Sequence, residues 1–291
     1  MNPLIIVGSG YVGDRLARAA LAQGRTVRVC ARSTSRLAPL GALGAEVKYL
    51  DAALVKQFPI ALASLPGATV VYSVPPVTTL PPGVAIRAAL QAAYGAHATC
   101  FIFYGSTGLY GAAPDDDAWI DDDTPLAIDD PAMAQWPIDE EAVRTHRFDR
   151  MRSTILRLPP VYGPGKGVRA RLRAGNYKLL DDGEHAISRI HVDDVVGATF
   201  AAEAHAPHQS CYLLADDEPT TQREYATWLC ERMGIPLPPA RPSFAPGAPR
   251  VAHRNRRIRN AGIKAALGLT LRYPTFREGE AAIEAEEAAA G

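Results

Sequence analysis

The chain has 291 residues, 47% of them hydrophobic, and its 31 basic side chains balance 31 acidic ones. This length can bury one large core or two packed lobes, and the neutral charge favours neither nucleic acid nor an anionic membrane as a partner. The strand pattern begins at Met1 and no apolar run reaches the ~18 residues of a membrane span, so we expect a cytoplasmic protein without a signal peptide. The four cysteines form no Cys-x-x-Cys pair, which predicts free thiols.

Apolar segments alternate with helical segments along most of the chain. The first strands are predicted in "PLIIV" and "TVRVCAR", with a helix between them. Later strands are predicted in "TVVYSVPP", "TCFIFYGS", "STILRLPP" and "CYLLAD", and late helices in "TTQREYATWLCERMG" and "TFREGEAAIEAEEAAA". Continuous apolar strands alternating with helices indicate an α/β fold with a parallel sheet covered on both faces.

A glycine-rich turn follows the first strand and opens the first helix. Gly8-Ser9-Gly10-Tyr11-Val12-Gly13 fits the Gly-x-Gly-x-x-Gly pattern of dinucleotide-binding folds. In that pattern the first glycine makes the turn, the second lets the backbone approach a pyrophosphate, and the third packs helix on strand. The helix N-terminus then faces the negative charge. These six residues are therefore predicted to bind the cofactor.

The second strand ends without the acidic side chain that usually binds a ribose 2′-hydroxyl. Arg32 and Ser33 stand there instead, and Arg36 follows. Arginine at this place can hold a 2′-phosphate, so NADP is favoured and NAD is the alternative. A solvated loop cation is the competing interpretation of Arg32. Asp51, after the third strand, is predicted either to close the adenine pocket or to be a plain turn residue.

With these residues, the chain resembles the extended and atypical branch of the short-chain dehydrogenase/reductase superfamily, which includes NAD(P)-dependent epimerases and dehydratases. The likeness also rests on "YSVPP", "GSTGLYG", "RLPPVYGPGKG", "SRIHVDDVVGA" and the C-terminal "RRIRNAGIKAALGLTLRYPTFREG". It implies a doubly wound Rossmann domain over 1-167, rejoined by about 190-218, and a smaller substrate-binding lobe from 168-189 and 219-291. It also implies cofactor contacts from Val74 and Pro75, and it allows a homodimer.

The only Tyr-x-x-x-Lys spacing, the spacing of this superfamily's proton-transfer pair, joins Tyr162 to Lys166. In relatives that pair lies on an earlier helix. The stretch "YGPGK" contains two glycines and a proline, so it cannot be a helix interior. We interpret the spacing as a coincidence, and Lys166 as a residue that could still contact an anionic substrate.

The position that the resemblance gives to the pair lies in "AMAQWPIDEEAV". Matching the glutamate that often follows the lysine in relatives to Glu140 places Ala132 and Trp136 at the tyrosine and lysine positions. A shift of one residue gives Met133 and Pro137. Neither register supplies a phenol or an ammonium group. The proton transfer that usually accompanies hydride transfer therefore lacks its usual donor.

The serine partner of that pair is retained. The resemblance places Ser106 where relatives bind the reacting oxygen, with Thr107 beside it. Tyr104 is a candidate substitute acid, although a packed strand aromatic is the commoner case. Ser106 could instead satisfy only local backbone groups. His146 is a candidate surrogate base near neutral pH, although an exposed helix histidine is the commoner case.

An acidic stretch precedes the segment "AMAQWPIDEEAV". We interpret it as a solvated loop at the rim of the active site rather than as a metal site, because it lacks calcium-loop spacing. Its aspartates are Asp115 to Asp117, Asp121 to Asp123, Asp129 and Asp130.

Two functions remain open. One is an enzyme that binds NADP and acts on a carbonyl or hydroxyl of a sugar-like or specialised small molecule, as a reductase, epimerase or dehydratase. The other is a non-catalytic NADP(H)-binding sensor or scaffold, which the missing tyrosine and lysine favour. The retained serine and the segments of the substrate lobe favour the enzyme.

Overall fold

The computed structural model describes residues 1–111, 118–128, 130–242 and 255–290. The strands are β1 (Leu4–Val7), β2 (Val27–Ala31), β3 (Glu46–Tyr49), β4 (Thr69–Tyr72), β5 (Cys100–Ser106), β6 (Trp119–Ile120), β7 (Arg152–Leu158), β8 (Val161–Tyr162), β9 (Leu179–Leu180), β10 (Ala186–Ile187), β11 (Ile190–His191), β12 (Ser210–Leu213), β13 (Thr220–Thr221), β14 (Ala240–Arg241) and β15 (Arg257–Ile258). The helices are α1 (Tyr11–Ala22), α2 (Ala38–Ala42), α3 (Phe58–Leu62), α4 (Val84–Gly95), α5 (Trp136–Thr145), α6 (Val168–Arg173), α7 (Val192–His205), α8 (Gln222–Met233), α9 (Ala261–Leu267) and α10 (Phe276–Ala290).

Seven parallel strands form the central sheet in the spatial order β12-β7-β5-β4-β1-β2-β3. The chain builds outward from β1 in one direction and then returns to β4 on its other side. This order confirms the predicted α/β class and the doubly wound Rossmann architecture. The carboxyl ends of β1 and β4 meet where the order reverses, and that edge is where such sheets bind ligands.

Each face of the sheet has its own apolar core. Alternate residues of β1 divide between them: Leu4 and Ile6 pack in one cluster with α1, α7 and α9, whereas Ile5 and Val7 pack in the other with α3, α4 and α5. The alternation follows from the two-residue period of a strand. Both faces are thereby buried, as the continuous apolar strands predict.

A third apolar cluster lies outside the sheet, among α6, α8 and α10. Its large buried aromatics are Tyr162, Tyr177, Tyr225 and Phe276. Short ladders border it, including the antiparallel pair β10 and β13 and the parallel pair β9 and β14. This cluster gives the C-terminal part of the chain a core of its own.

All four cysteines are free, as predicted, and three of them are buried. In the ranges given above, the helices are too short or too polar to cross a lipid bilayer.

Candidate cofactor cleft and active site

A cleft of about 1050 Å³ opens at the carboxyl edge of the sheet. Its walls come from the turn after β1, the residues after β2 and β3, and the segment 73–79 after β4. It therefore straddles the point where the strand order reverses, which is the expected ligand position in an open α/β sheet.

The three glycines of the turn have different surroundings. At Gly8 the φ angle is +87°, and a Cβ would lie 2.7 Å from Cγ2 of Val74. At Gly13 a Cβ would lie 3.1 Å from Cγ2 of Ile6, so this glycine lets α1 pack on β1. At Gly10 a Cβ would meet no atom within 4 Å. The space beside Gly10 is thus open to the cleft, as the approach of a pyrophosphate to the backbone requires.

The groups around this space suit an anionic diphosphate. Helix α1 begins after Gly10 without a side-chain cap, so its first N–H groups and its positive dipole end face the cleft. The Ser9 hydroxyl is buried and has no hydrogen-bond partner among the described residues. Backbone N–H groups at a helix N-terminus and a free hydroxyl are typical phosphate donors.

The cleft wall beyond β2 is basic. Arg32 and Arg36 line it, and neither forms an ion pair in the part of the chain that the structure describes. Ser33 lies between them and its hydroxyl is 3.2 Å from that of Ser35. By contrast, Arg18 of the same cleft is bound to a carboxylate of its own helix, at 2.8 Å from Asp14.

The remaining predicted cofactor residues divide between the cleft and the core. Asp51, Val74 and Pro75 line the cleft, whereas Val12 and Gly13 do not. The Asp51 carboxylate also accepts a hydrogen bond from the backbone N–H of Ala53 at 3.0 Å, so it stabilises the turn after β3 as well. Both interpretations of Asp51 are therefore compatible with its position.

A contact between Tyr11 and the "YGPGK" turn escaped the sequence analysis. The Tyr11 hydroxyl donates to the carbonyl oxygen of Pro164 at 3.1 Å, and the Lys166 ammonium lies 4.8 Å from the centre of the Tyr11 ring. Tyr162 points the other way, into the core of the third cluster, where its ring is 5.3 Å from that of His191. Tyr162 and Lys166 therefore do not share a helical face, as the sequence predicts.

Ser106 lies at the carboxyl end of β5 and is half-buried. Its hydroxyl accepts the backbone N–H of Gly108 at 3.0 Å, and its own proton remains available for donation. A Cβ on Gly108 would lie 2.9 Å from the Ser106 hydroxyl and 2.7 Å from Cε of Met133. The Met133 thioether and the Ser106 hydroxyl thus both border the space over Gly108.

The position of Tyr104 does not favour the acid role and suits the packed strand aromatic that was the commoner alternative. This residue is 4% exposed in the core between the sheet and α7, and its hydroxyl shares a 2.7 Å hydrogen bond with Thr199. Burial raises the pKa of Tyr104 well above its usual range. Thr107 is also buried, and its hydroxyl donates to the carbonyl oxygen of Leu158 at 3.4 Å. Of the three predicted catalytic residues, only Ser106 has a hydroxyl near the open edge.

Glu140 has a structural partner in Arg157. The guanidinium donates to both carboxylate oxygens, at 2.7 Å for the shortest contact, and also to the hydroxyl of Tyr110. All three side chains are buried. Burial raises the pKa of Glu140 and of Tyr110, against the charge of Arg157. Sequence reasoning found Glu140 through the resemblance but missed Arg157, which "RLPP" carries.

His146 is remote from Ser106, which contradicts its role as surrogate base. The backbone carbonyl oxygen of His146 accepts a hydrogen bond from the side chain of Gln209, just before β12. The His146 ring lies 5.2 Å from the ring of His208, and His208 accepts the backbone N–H of Ser153 at the start of β7. These contacts place His146 at the amino edge of the parallel sheet, whereas Ser106 is at the carboxyl edge. Burial lowers the pKa of His146 to about 4.

The acidic stretch is described only in part, because Asp115 to Asp117 and Asp129 lie outside the described residues, and Asp121 to Asp123 and Asp130 lie inside. Among the described residues, no group of three or more His, Cys, Asp or Glu side chains could hold a metal ion. The segment packs against the active-site turn, since the backbone N–H of Ala127 donates to Leu109 at 3.0 Å.

Comparison with known proteins adds to this geometry. A model of the NAD-dependent epimerase/dehydratase family matches residues 4–215. The 3-diazoavenalumate denitrifying reductase of a Streptomyces species is 30% identical in an alignment of 188 residues that covers 58% of this chain and 60% of that protein. Protein YeeZ of Escherichia coli K12 is 26% identical over 94% of this chain and 97% of YeeZ. A conserved protein of unknown function from Silicibacter pomeroyi has a similar structure, with a TM-score of 0.83, 28% identity and coverage of 98% of this chain and 99% of that one.

Proposed function

The chain belongs to the NAD-dependent epimerase/dehydratase family, and we propose that it is an NADP(H)-dependent reductase of a small molecule. The observation that carries the proposal is the cleft. It joins an uncapped helix N-terminus at Gly10 to Arg32 and Arg36 beyond β2, which form no ion pair with any other described residue. Bound NADPH would supply a hydride from its nicotinamide ring.

The two ends of the cleft correspond to the two anionic parts of NADP. The backbone at Gly10, the N–H groups of α1 and the Ser9 hydroxyl would hold the pyrophosphate. Arg32 and Arg36 would hold the 2′-phosphate, because a guanidinium pairs with a phosphate through charge-assisted hydrogen bonds. NAD lacks that phosphate and would leave both arginines unpaired.

Reduction is favoured over epimerisation by the surroundings of Ser106. Met133 lies beside its hydroxyl, where the family resemblance places the proton-transferring pair. Epimerases and dehydratases of this type return a hydride and move protons in the same site, which requires that pair. The Streptomyces relative carries the name of a reductase, and it acts on a diazo compound.

Cofactor titration tests the nucleotide part of the proposal. NADPH should bind more tightly than NADH, measured by the fluorescence of the reduced nicotinamide. Arg32→Glu should abolish the preference, and the preference should weaken with salt. Arg18→Glu is a matched control, because Arg18 lines the same cleft but is already paired with Asp14. Equal affinities in the wild-type protein would contradict the proposal.

A non-catalytic NADP(H) sensor is the second candidate, and the apolar neighbour of Ser106 favours it. The two functions separate in a single experiment with NADPH deuterated on either face of nicotinamide C4. An enzyme transfers deuterium from one face only to its substrate, whereas a sensor binds NADPH and transfers none. Tight binding without transfer to any tested compound would favour the sensor.

A further inference from the structure

The "YGPGK" turn between β8 and α6 has a closed and specific conformation. The backbone N–H of Lys166 donates to the carbonyl oxygen of Gly163 at 2.9 Å, and the N–H of Gly163 donates back to the carbonyl oxygen of Lys166 at 3.3 Å. Gly165 lies between them with a φ angle of +71°, which residues with a Cβ rarely adopt. The turn thereby presents the exposed side chain of Lys166 from a fixed backbone.

Tyr11, the first residue of α1, joins this turn to the cofactor cleft. Its hydroxyl donates to the carbonyl oxygen of Pro164 at 3.1 Å, and it lies against Gly163, where a Cβ would find no room. Tyr11 and Pro164 both line the cleft. Because Tyr11 directly follows Gly10, its backbone N–H is one of those at the start of α1 that have no partner within the helix. The turn therefore lies beside the end of the cleft assigned to the diphosphate.

Lys166 brings a positive charge to that end of the cleft. Its ammonium group lies 4.8 Å from the centre of the Tyr11 ring, and it forms no ion pair with any other described residue. By contrast, Arg15 in the next turn of α1 is paired with Asp193 at 2.6 Å and with Glu286 at 3.4 Å. An exposed contact of a cation with a ring is weaker than a charge-assisted bond to a phosphate. The flexible four-carbon stem of lysine lets the ammonium group exchange one for the other.

From this arrangement we propose that Lys166 is a further cofactor-binding residue, whose ammonium group moves from the Tyr11 ring onto the diphosphate of the bound dinucleotide. The inference rests on the proposed binding of NADP(H) in the cleft. Helix α1 binds the diphosphate through its backbone N–H groups, and the turn adds one charge-assisted bond. Tyr11 is then a positioning residue, because its bond to Pro164 acts through Lys166. The role of "YGPGK" is thus binding of the cofactor rather than proton transfer.

The position of the turn favours the diphosphate over the other phosphate of NADP. The 2′-phosphate is assigned to Arg32 and Arg36, which lie beyond β2. The contacts that fix Lys166 come instead from Tyr11, one residue from Gly10, where the diphosphate is assigned. An anionic group of the substrate is the other possible partner of the ammonium group, and a binding experiment without substrate distinguishes it from the diphosphate.

Calorimetric titration with two fragments of the cofactor tests the inference. ADP-ribose carries the diphosphate without the 2′-phosphate, and adenosine 2′-monophosphate carries the 2′-phosphate without a diphosphate. Lys166→Met keeps a side chain of similar length but removes the charge. It should weaken binding of ADP-ribose at least about fivefold and change binding of adenosine 2′-monophosphate less than about twofold, because only the bond to the diphosphate is lost. The loss should shrink at high salt, and Lys166→Arg should restore most of the affinity.

Two further variants serve as controls, and urea unfolding checks that every variant is folded. Arg32→Met removes a charge at the other end of the cleft and should give the reverse pattern, with weaker adenosine 2′-monophosphate and unchanged ADP-ribose. Tyr11→Phe removes the bond to Pro164 and should weaken ADP-ribose. Combining it with Lys166→Met should cost no more than Lys166→Met alone, because both changes remove the same interaction, whereas a merely structural role of Tyr11 would add its cost.

The results separate the inference from the proposed function. Unchanged affinity of Lys166→Met for ADP-ribose would overturn the inference, and the NADP(H) cleft would still stand if Gly10→Val lost ADP-ribose in the same assay. An equal loss for both fragments would also overturn it, since that result shows only a long-range effect of charge. Unchanged fragment binding with a raised KM for a verified substrate would assign Lys166 to the substrate instead. A wild-type protein that does not bind ADP-ribose would contradict both.

Discussion

Replacing Gly10 by valine should separate cofactor binding from folding. The backbone at Gly10 has φ −87°, which any residue can adopt, and a Cβ there meets no protein atom within 4 Å. We therefore expect the free energy of unfolding to change by less than about 1 kcal/mol, the usual range for a helix N-cap position without a side-chain bond.

The cost of Gly10→Val should fall on the cofactor. The side chain would occupy the space that the pyrophosphate needs, and two backbone hydrogen bonds to phosphate would be lost. Each is worth about 1.5–3 kcal/mol because the acceptor is charged. The sum of about 3–6 kcal/mol corresponds to a loss of about 10²–10⁴-fold in affinity for NADPH.

Urea unfolding and NADPH fluorescence titration measure the two quantities on the same preparation. Gly197→Val is the matched control, because Gly197 lies in α7, away from the cleft, and also has no atom within 4 Å of a built Cβ. That control should bind NADPH like the wild-type protein. A folded Gly10→Val protein with unchanged affinity would refute the assignment of the pyrophosphate to this turn.

Three further predictions concern the buried carboxyl groups of Glu140 and Asp216 and the hydroxyl groups of Tyr162 and Ser106. Glu140→Ala should cost about 3–5 kcal/mol in urea unfolding, because it leaves the Arg157 charge buried without its carboxylate, and a cost below about 1 kcal/mol would contradict this. Burial raises the pKa of Asp216 from 3.8 to about 8, so between those pH values the unfolded state has lost this proton and the folded state keeps it. The free energy of unfolding should therefore fall as pH rises from about 4 to about 8. Asp216→Asn should make this fall smaller when unfolding is measured across that pH range. With a verified substrate, Tyr162→Phe should keep most turnover while Ser106→Ala loses about 10²–10³-fold, and the reverse order would make "YGPGK" catalytic.

The parts of the fold that follow local rules could be predicted from the sequence. Local sequence determines the glycine turn, the basic end of β2 and the continuous apolar strands. The seven-stranded parallel sheet accordingly has the predicted architecture. The helical interior was correctly excluded for "YGPGK", because glycine and proline exclude it locally.

The errors concern side chains whose position depends on distant segments. Tyr104 was a candidate acid because it lies two residues before Ser106 on the same strand face, with a packed strand aromatic as the commoner case. It lies deeper in the sheet than Ser106, where α7 covers it and supplies Thr199. His146 directly follows α5, the helix where relatives carry the tyrosine and lysine. That helix runs from the carboxyl edge of the sheet to its amino edge, so His146 lies at the edge opposite Ser106. Met133 and Gly108 lie close together in space although they are 25 residues apart in the sequence, and no local sequence pattern predicts this proximity.

The most direct test of the central claim compares two fragments of the cofactor that differ only in the 2′-phosphate. Calorimetric titration of the wild-type protein with ADP-ribose and with its 2′-phosphorylated form isolates the contribution of Arg32 and Arg36 from that of the nicotinamide. Charge-assisted bonds to a phosphate predict at least about tenfold tighter binding of the phosphorylated fragment, with the difference lost in Arg32→Glu. Equal affinity for the two fragments would contradict an NADP(H) cleft.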